Sequence, residues 1–255
     1  MLAVERRNQI EQIIQQNKSV LVLDLAKKFD VTTETIRTDL EKLEKQGILV
    51  RSYGGATLVE DAEPEMTVRE RETVNYEGKH RIGMCAAKLI RDGETIFLDA
   101  STSSLHVAMN IKEKKGITVI TNAAKVAEEL SQCDNIRVIS TGGLLMTKNM
   151  SYVGRVAEDN IRRNYYANKC FFSCRGVMLH RGVMESGEEE AGIKKAMLDC
   201  SESALLLCDK KKIGRLGVHI LGGFDRIDKF ITDMNLDEEW QHRLAENDVK
   251  VIMAE

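Results

Sequence analysis

The amino-acid sequence predicts an α/β chain in two parts: a small helical module closed by a β-wing, then a larger domain on a mostly parallel sheet. Three observations support this. Short amphipathic helical patterns dominate up to residue 57. From residue 76, apolar runs of strand length alternate with amphipathic stretches. Between them an acidic segment, 57–66, carries the only proline, Pro64. The expected boundaries are 1–57 for the first module, 58–75 for a linker, and 76–255 for the second domain.

Composition narrows the class. At 255 residues the chain is long enough for two cores, and one proline with 18 glycines excludes collagen-like or largely disordered chains. No window approaches the roughly 18 consecutive apolar residues of a membrane span. The first residues, Met1-Leu-Ala-Val-Glu-Arg-Arg-Asn, have no apolar core behind their positive charges. A soluble, cytoplasmic protein without a membrane partner is expected. The six cysteines (Cys85, Cys133, Cys170, Cys174, Cys200, Cys208) form no C-x-x-C pair, so they read as structural thiols. No metal site and no cofactor is expected.

In the first module, Ile10, Ile13 and Ile14 place an apolar stripe on a first helix. Leu21 to Phe29 reads as a second, with Leu25 and Phe29 one turn apart. Asp30-Val31-Thr32 makes a tight turn, and Thr32 suits the N-cap of a third helix. That helix buries Ile36, Leu40 and Leu43. Glu34, Thr38, Glu41 and Lys45 lie on its opposite face, with Thr33 and Arg37 on a flank. Gly47 ends it, and residues 48–56 read as a short strand and a Gly-Gly turn. Together these elements describe a winged helix-turn-helix, which sets its second helix in the major groove of DNA.

Thr33, Thr35 and Arg37 are then the side chains at base edges, since arginine bonds guanine bidentately and threonine meets thymine. Arg51 and Tyr53 on the wing would touch phosphate or the neighbouring minor groove. Residues 1–58 hold nine Lys/Arg against eight Asp/Glu, so a small helical domain with a solvated polar face is the competing reading.

The run Val31-Thr-Thr-Glu-Thr-Ile-Arg-Thr-Asp-Leu-Glu-Lys-Leu, followed by Gly47, Arg51 and Gly54-Gly-Ala, resembles the DeoR family of bacterial transcription regulators. The family pattern runs V-S-x-x-T-I-R-R-D-L, then L, G, R and G-G-A, and the resemblance continues to the C-terminus. It implies binding of double-stranded operator DNA through Thr32, Thr33, Thr35, Arg37, Thr38, Arg51 and Tyr53. Thr38 stands where the family usually has a second arginine, which removes a phosphate contact. Tyr53 stands where histidine is common.

After a helical pattern from residue 76, strands read at 95–99, 117–121, 136–140, 170–173, 204–208, 230–232 and 250–253. Helices read at 105–114, 123–132, 152–164, 188–201 and 237–247. Continuous apolar strands alternating with helices imply a parallel sheet covered on both faces, and ligands of such sheets sit beyond the carboxyl ends of the strands.

Those ends are polar here. The first runs into Asp99-Ala-Ser-Thr-Ser-Ser, the second into Thr121-Asn122, the third into Gly142-Gly143. Backbone N–H groups and hydroxyls at a helix start make an anion cradle of Ser101, Thr102, Ser103 and Ser104. A phosphate there would repel Asp99, which is better cast as a hydroxyl acceptor or a loop-shaping residue. Each feature also has a plain explanation: Ser/Thr as a helix cap, the glycines as a turn, Ser186-Gly-Glu-Glu as a capping box, Lys210-Lys-Lys as a solvated loop.

The resemblance sharpens these positions. It implies a sensor domain related in fold to ribose-5-phosphate isomerase and responsive to a phosphorylated sugar. Asp99-Ala-Ser-Thr-Ser is similar to the family's D-x-G-T-T phosphate loop, with Ser101 in place of glycine. Thr121-Asn122 and Gly142-Gly143 match directly, Glu190 and Lys194 fit E-x-x-x-K-R-A, and Lys212 matches the lysine of D-x-S-K-x-G. In Phe172-Ser-Cys-Arg-Gly-Val-Met, Arg175 and Met178 depart from the family's G-x-x-G-I-D. Met178 replaces a carboxylate, while Arg175 favours an anionic ligand.

The expected protein is a repressor of a carbohydrate operon, released or recruited by the sugar phosphate and paired as a homo-oligomer on operator half-sites. The alternative is a sugar-phosphate isomerase, with Glu190 as base and Lys194 or Lys212 as electrophile. Met178 argues against it.

Overall fold

A computed structural model describes residues 3–17, 19–45, 48–52, 54–58 and 66–255. The chain divides into two compact units, Met1–Met66 and Thr67–Glu255. Among the described residues, no helix is long and apolar enough to cross a membrane.

In the first unit, α1 (Ala3–Asn17), β1 (Ser19–Leu21), α2 (Val22–Phe29) and α3 (Thr33–Lys45) precede a wing of β2 (Leu49–Ser52) and β3 (Gly55–Leu58). The strands form an antiparallel sheet in the order β1-β3-β2. Ile10 and Ile14 of α1 bury against Leu25, Ile36, Leu40, Leu43 and Leu49, the stripes that periodicity picks out. Leu21, expected to open the second helix, instead ends β1 and pairs with Gly55. A three-residue strand has no repeat long enough to read. Gly55 is required there, since a Cβ would come within 2.3 Å of the Val20 carbonyl oxygen. Asp30 turns left-handed (φ 50°) to close α2, and Thr32 Oγ1 accepts from the Thr35 N–H, as an N-cap does. Gly47, Tyr53 and Pro64 lie outside the described residues.

The second unit opens with α4 (Val68–Thr73), inside the stretch expected as linker. Thr67 and Glu70 form a capping box, and the Val68 N–H donates to the Lys148 carbonyl oxygen at 2.9 Å. There follow α5 (Tyr76–Lys88), β4 (Thr95–Leu98), α6 (Thr102–Met109), β5 (Ile117–Thr121), α7 (Ala124–Leu130) and β6 (Ile136–Ser140). Next come β7 (Leu144–Met146), β8 (Ser151–Val153), α8 (Arg155–Asn164), β9 (Lys169–Phe172), β10 (Gly176–Met178) and β11 (Gly182–Glu185). The chain ends with α9 (Glu188–Asp199), β12 (Ala204–Leu207), β13 (His219–Gly222), β14 (Lys229–Thr232), α10 (Glu238–Ala245) and β15 (Lys250–Met253).

The seven strands read from apolar runs build one sheet in the order β15-β14-β12-β9-β4-β5-β6. Every pairing in it is parallel. Its two faces carry separate cores: Phe97, Phe172, Leu206 and Phe230 on one, Ile96, Phe171, Leu205 and Ile231 on the other. Burial on both faces is why these strands read as unbroken apolar runs.

Two smaller antiparallel sheets, β7-β8 and β10-β11-β13, are not among the strands read from the sequence. One overlaps an expected helix: 151–153 is strand, and α8 starts only after Gly154, whose φ of 87° turns the chain. The expected helix at 105–114 begins earlier, at Thr102, and ends at Met109.

Candidate functional site

The carboxyl edge of the large sheet holds a buried polar network around Asp99. Asp99 Oδ1 accepts from the N–H of Ser101 at 3.1 Å and from the hydroxyls of Ser101 and Ser104, each at 2.6 Å. Its other oxygen accepts from the Ser173 N–H at 3.0 Å. Ser101 also caps α6, accepting from the Ser104 N–H at 3.1 Å. A loop leaving a central strand and entering a helix must satisfy several N–H groups at once, and this carboxylate does so. Asp99 is thus a hydroxyl acceptor that shapes the loop. Thr102 and Ser103 are buried beside it, and Ser103 Oγ has no partner among the described residues.

Lys194, on α9, reaches the same place. Its ammonium forms an ion pair with Glu185 and lies 3.4 Å from Asp99. Burial alone would lower its pKa, but Glu185, Asp99 and Glu190 together raise it, so Lys194 stays charged. Glu190, one turn earlier, accepts from the Ser151 hydroxyl and, at 3.4 Å, from Asn149 Nδ2. Burial pushes its carboxyl pKa up, against the pull of Lys194 and Ser151. Glu185, Asn149 and Ser151 are absent from the sequence-derived set. The signal for Glu185 is a glutamate closing the wholly buried strand Gly-Val-Met-Glu. α9 starts from Gly187 with no side-chain cap, so Ser186 does not make the expected capping box.

The remaining predicted residues border this network. Thr121 Oγ1 donates to the Leu98 carbonyl oxygen at 2.7 Å and accepts from the Ala123 N–H at 3.0 Å. Asn122 pairs with the Tyr152 backbone, next to Ser151, and its buried Oδ1 has no partner among the described residues. Gly143 (φ 110°) lies where a Cβ would meet the Val153 carbonyl oxygen at 2.6 Å, whereas Gly142 (φ 65°) faces open space. Lys212 Nζ donates to the Cys174 carbonyl oxygen, one residue from Ser173. The Arg175 N–H donates to the Met184 carbonyl oxygen, which places Arg175 beside Glu185. Among the described residues, no group of His, Cys, Asp or Glu is arranged to hold a metal ion.

Of the other predicted set, all but Tyr53 lie among the described residues of the first unit. Thr32, Arg37 and Thr38 are exposed on or just before α3, and Thr33 and Thr35 are half-buried. Arg37 pairs with Glu34 at 3.1 Å, and Thr38 Oγ1 donates to the Glu34 carbonyl oxygen. On the wing, Arg51 pairs with Glu44 at 2.6 Å. Beneath this surface Asp39 is buried against Arg6 at 2.6 Å and Arg7 at 3.3 Å, tying α3 to α1.

The family model of the DeoR C terminal sensor domain matches residues 74–234, and that of the DeoR-like helix-turn-helix domain matches residues 6–62. The chain is 40% identical over 251 residues to the HTH-type transcriptional regulator YulB of Bacillus subtilis (strain 168), covering 98% of this chain and 96% of that one. It is 31% identical to the HTH-type transcriptional regulator GolR of Listeria innocua, over 100% of both chains. With the L-fucose operon activator of Haemophilus influenzae the identity is 30%, over 96% of this chain and 97% of the relative.

Among solved structures, eIF2B delta from Chaetomium thermophilum aligns with a TM-score of 0.47 and 16% identity, over 66% of this chain and 59% of that one. Ribose 5-phosphate isomerase A from Methanocaldococcus jannaschii aligns at 0.42 and 14%, over 55% and 56%. Both likenesses are too distant to bear on function. The three relatives are regulators of transcription, and both domain patterns are matched in order: the chain belongs to the DeoR family of transcriptional regulators.

Proposed function

We propose that this regulator is a cytoplasmic repressor of a carbohydrate operon that binds paired operator half-sites as a homo-oligomer and responds to a phosphorylated sugar. Thr33, Thr35 and Arg37 read bases, Thr32 and Thr38 flank them, and Arg51 and Tyr53 serve the backbone. The sugar phosphate occupies the carboxyl edge of the large sheet, among Ser101–Ser104, Thr121, Asn122, Gly142, Gly143, Arg175, Glu190, Lys194 and Lys212. One observation carries the reading: the buried hydroxyl and amide groups after β4 and β5 include Ser103 Oγ and Asn122 Oδ1, which no group among the described residues satisfies. Polar atoms buried without partners are costly, and a hydroxylated anion would satisfy them.

The test is a thermal-melting screen of the full chain against sugar phosphates and their unphosphorylated parents, followed by operator binding with any hit. A ligand bound only by the native state raises the melting temperature. A shift confined to phosphorylated sugars, with a matching change in operator affinity, supports the reading. A shift from the parent sugars alone defeats it.

A further inference from the structure

Two exposed arginines of the first unit, Arg37 and Arg51, bond carboxylates of α3 in different ways. Arg37 donates through a terminal nitrogen to Glu34, one turn back on the same helix, at 3.1 Å, and both side chains are more than half exposed. That bond occupies a nitrogen which Arg37 must release before both ends of its fork can meet a base. Arg51 instead donates twice to Glu44: its backbone N–H to Oε1 at 2.8 Å and its side-chain Nε to Oε2 at 2.6 Å. Neither bond uses a terminal nitrogen of the fork.

The sheet explains why a carboxylate stands there. β2 is an outer strand in the order β1-β3-β2 and pairs with β3, with Arg51 opposite Ala56. Alternate N–H groups of an outer strand point away from the sheet, and the Arg51 N–H donates to Glu44 rather than to β3. Glu44 lies in the last turn of α3, which packs on β2 with Leu43 and Leu49 in one core. One carboxylate therefore covers the open edge and grips the guanidinium. Its two donors hold the Glu44 carboxyl below its usual range, so it is charged at neutral pH.

A free arginine on a surface samples many rotamers, and a contact made from that ensemble loses the entropy of ordering it. With Nε engaged, the plane of the guanidinium is fixed and the end of its fork is left for two oxygens of a phosphate. We propose that Glu44 is a positioning residue for DNA binding, acting through Arg51 by holding its guanidinium ready for a backbone phosphate. This rests on the reading of Arg51 as a backbone contact. It also accounts for a carboxylate beside a wing that meets a polyanion, where negative charge with no such role would only weaken binding.

The experiment measures binding of the full chain, over a range of salt concentrations, to a duplex that the wild-type chain selects from a random-sequence pool. Wild type is compared with E44A, E44Q, R51A and the double variant of E44A with R51A. R51A should weaken binding and reduce the slope of log affinity against log salt by about 1, the loss of one phosphate contact. E44A should weaken binding by about two- to tenfold, the cost of ordering one long side chain, and keep a salt slope close to wild type. E44Q retains a carbonyl oxygen for one of the two donors and should fall between wild type and E44A. In the R51A background, E44A should have no further effect, because a positioning residue acts only through the residue it positions. Tighter binding by E44A overturns the proposal and leaves Glu44 as a charge that repels phosphate. A loss in E44A that persists in the R51A background also overturns it, marking Glu44 as a support of the fold. If R51A weakens binding and E44A binds like wild type, the contact of Arg51 stands and the role of Glu44 is wrong. If R51A itself binds like wild type with an unchanged slope, Arg51 is no phosphate contact and the role of Glu44 falls with it.

Discussion

Lys194 lies 3.4 Å from Asp99 beneath the carboxyl edge of the sheet, and both side chains are buried. Lys194 Nζ also engages Glu185, so one ammonium holds the ends of β4 and β11 together. Removing one partner of such a cluster leaves charge without compensation. Asp99→Ala should therefore destabilise the second unit by about 3–5 kcal/mol, read from urea unfolding. Asp99→Asn keeps the shape and should cost less. Equal stability of wild type and Asp99→Ala would show that the network contributes nothing.

Lys79 supplies a pH signature. Its pKa falls from 10.5 to about 8 in the folded chain, so the unfolded state binds more protons between those values. Wild-type stability from this group therefore rises with pH across that window and carries the full cost below about pH 8. That cost is on the order of 3 kcal/mol. Lys79→Met should be more stable than wild type near pH 7, with the gap closing towards pH 10. Urea unfolding of both chains at the two pH values tests this; a gap that does not change with pH refutes it.

Asp39 is buried between Arg6 and Arg7 under the exposed face of α3. Asp39→Ala would strand the Arg6 guanidinium and should cost the first unit about 3 kcal/mol. Operator binding should fall with it although Asp39 is buried. Circular dichroism melting separates this loss of fold from a lost contact.

Arg37 makes the opposite prediction. Its ion pair with Glu34 is exposed and contributes about 0–1 kcal/mol, so Arg37→Ala should leave melting nearly unchanged. Operator affinity should drop by about 1–3 kcal/mol, with relaxed preference at one base position, if the contact is bidentate. Footprints identical to wild type at fixed salt would remove Arg37 from base reading.

Much of the site was legible because its residues follow strands. Asp99, Ser101, Thr121 and Asn122 stand at the ends of apolar runs, and a parallel sheet brings all such ends to one edge. The contacts of Arg71 and Lys79 with Asn149 and with each other's element were not legible. Both precede β4, Arg71 in the stretch expected as linker and Lys79 in the helical pattern that follows it. The capping box of Thr67 and Glu70 was a local signal there, masked by the acidic segment before it.

The sequence by itself determined the two-part plan, the third helix and the seven central strands, because burial on one face of a helix imposes a helical period and burial on both faces of a strand leaves an unbroken apolar run. Only the tertiary structure decided which polar groups meet. Glu185 faces Lys194 because β11 pairs with β13 and α9 packs across them. Lys79 reaches the edge because Asp233 fastens α5 to the end of β14. Such contacts join residues far apart in the chain, and a charged side chain carries no periodic mark of the partner that will neutralise it.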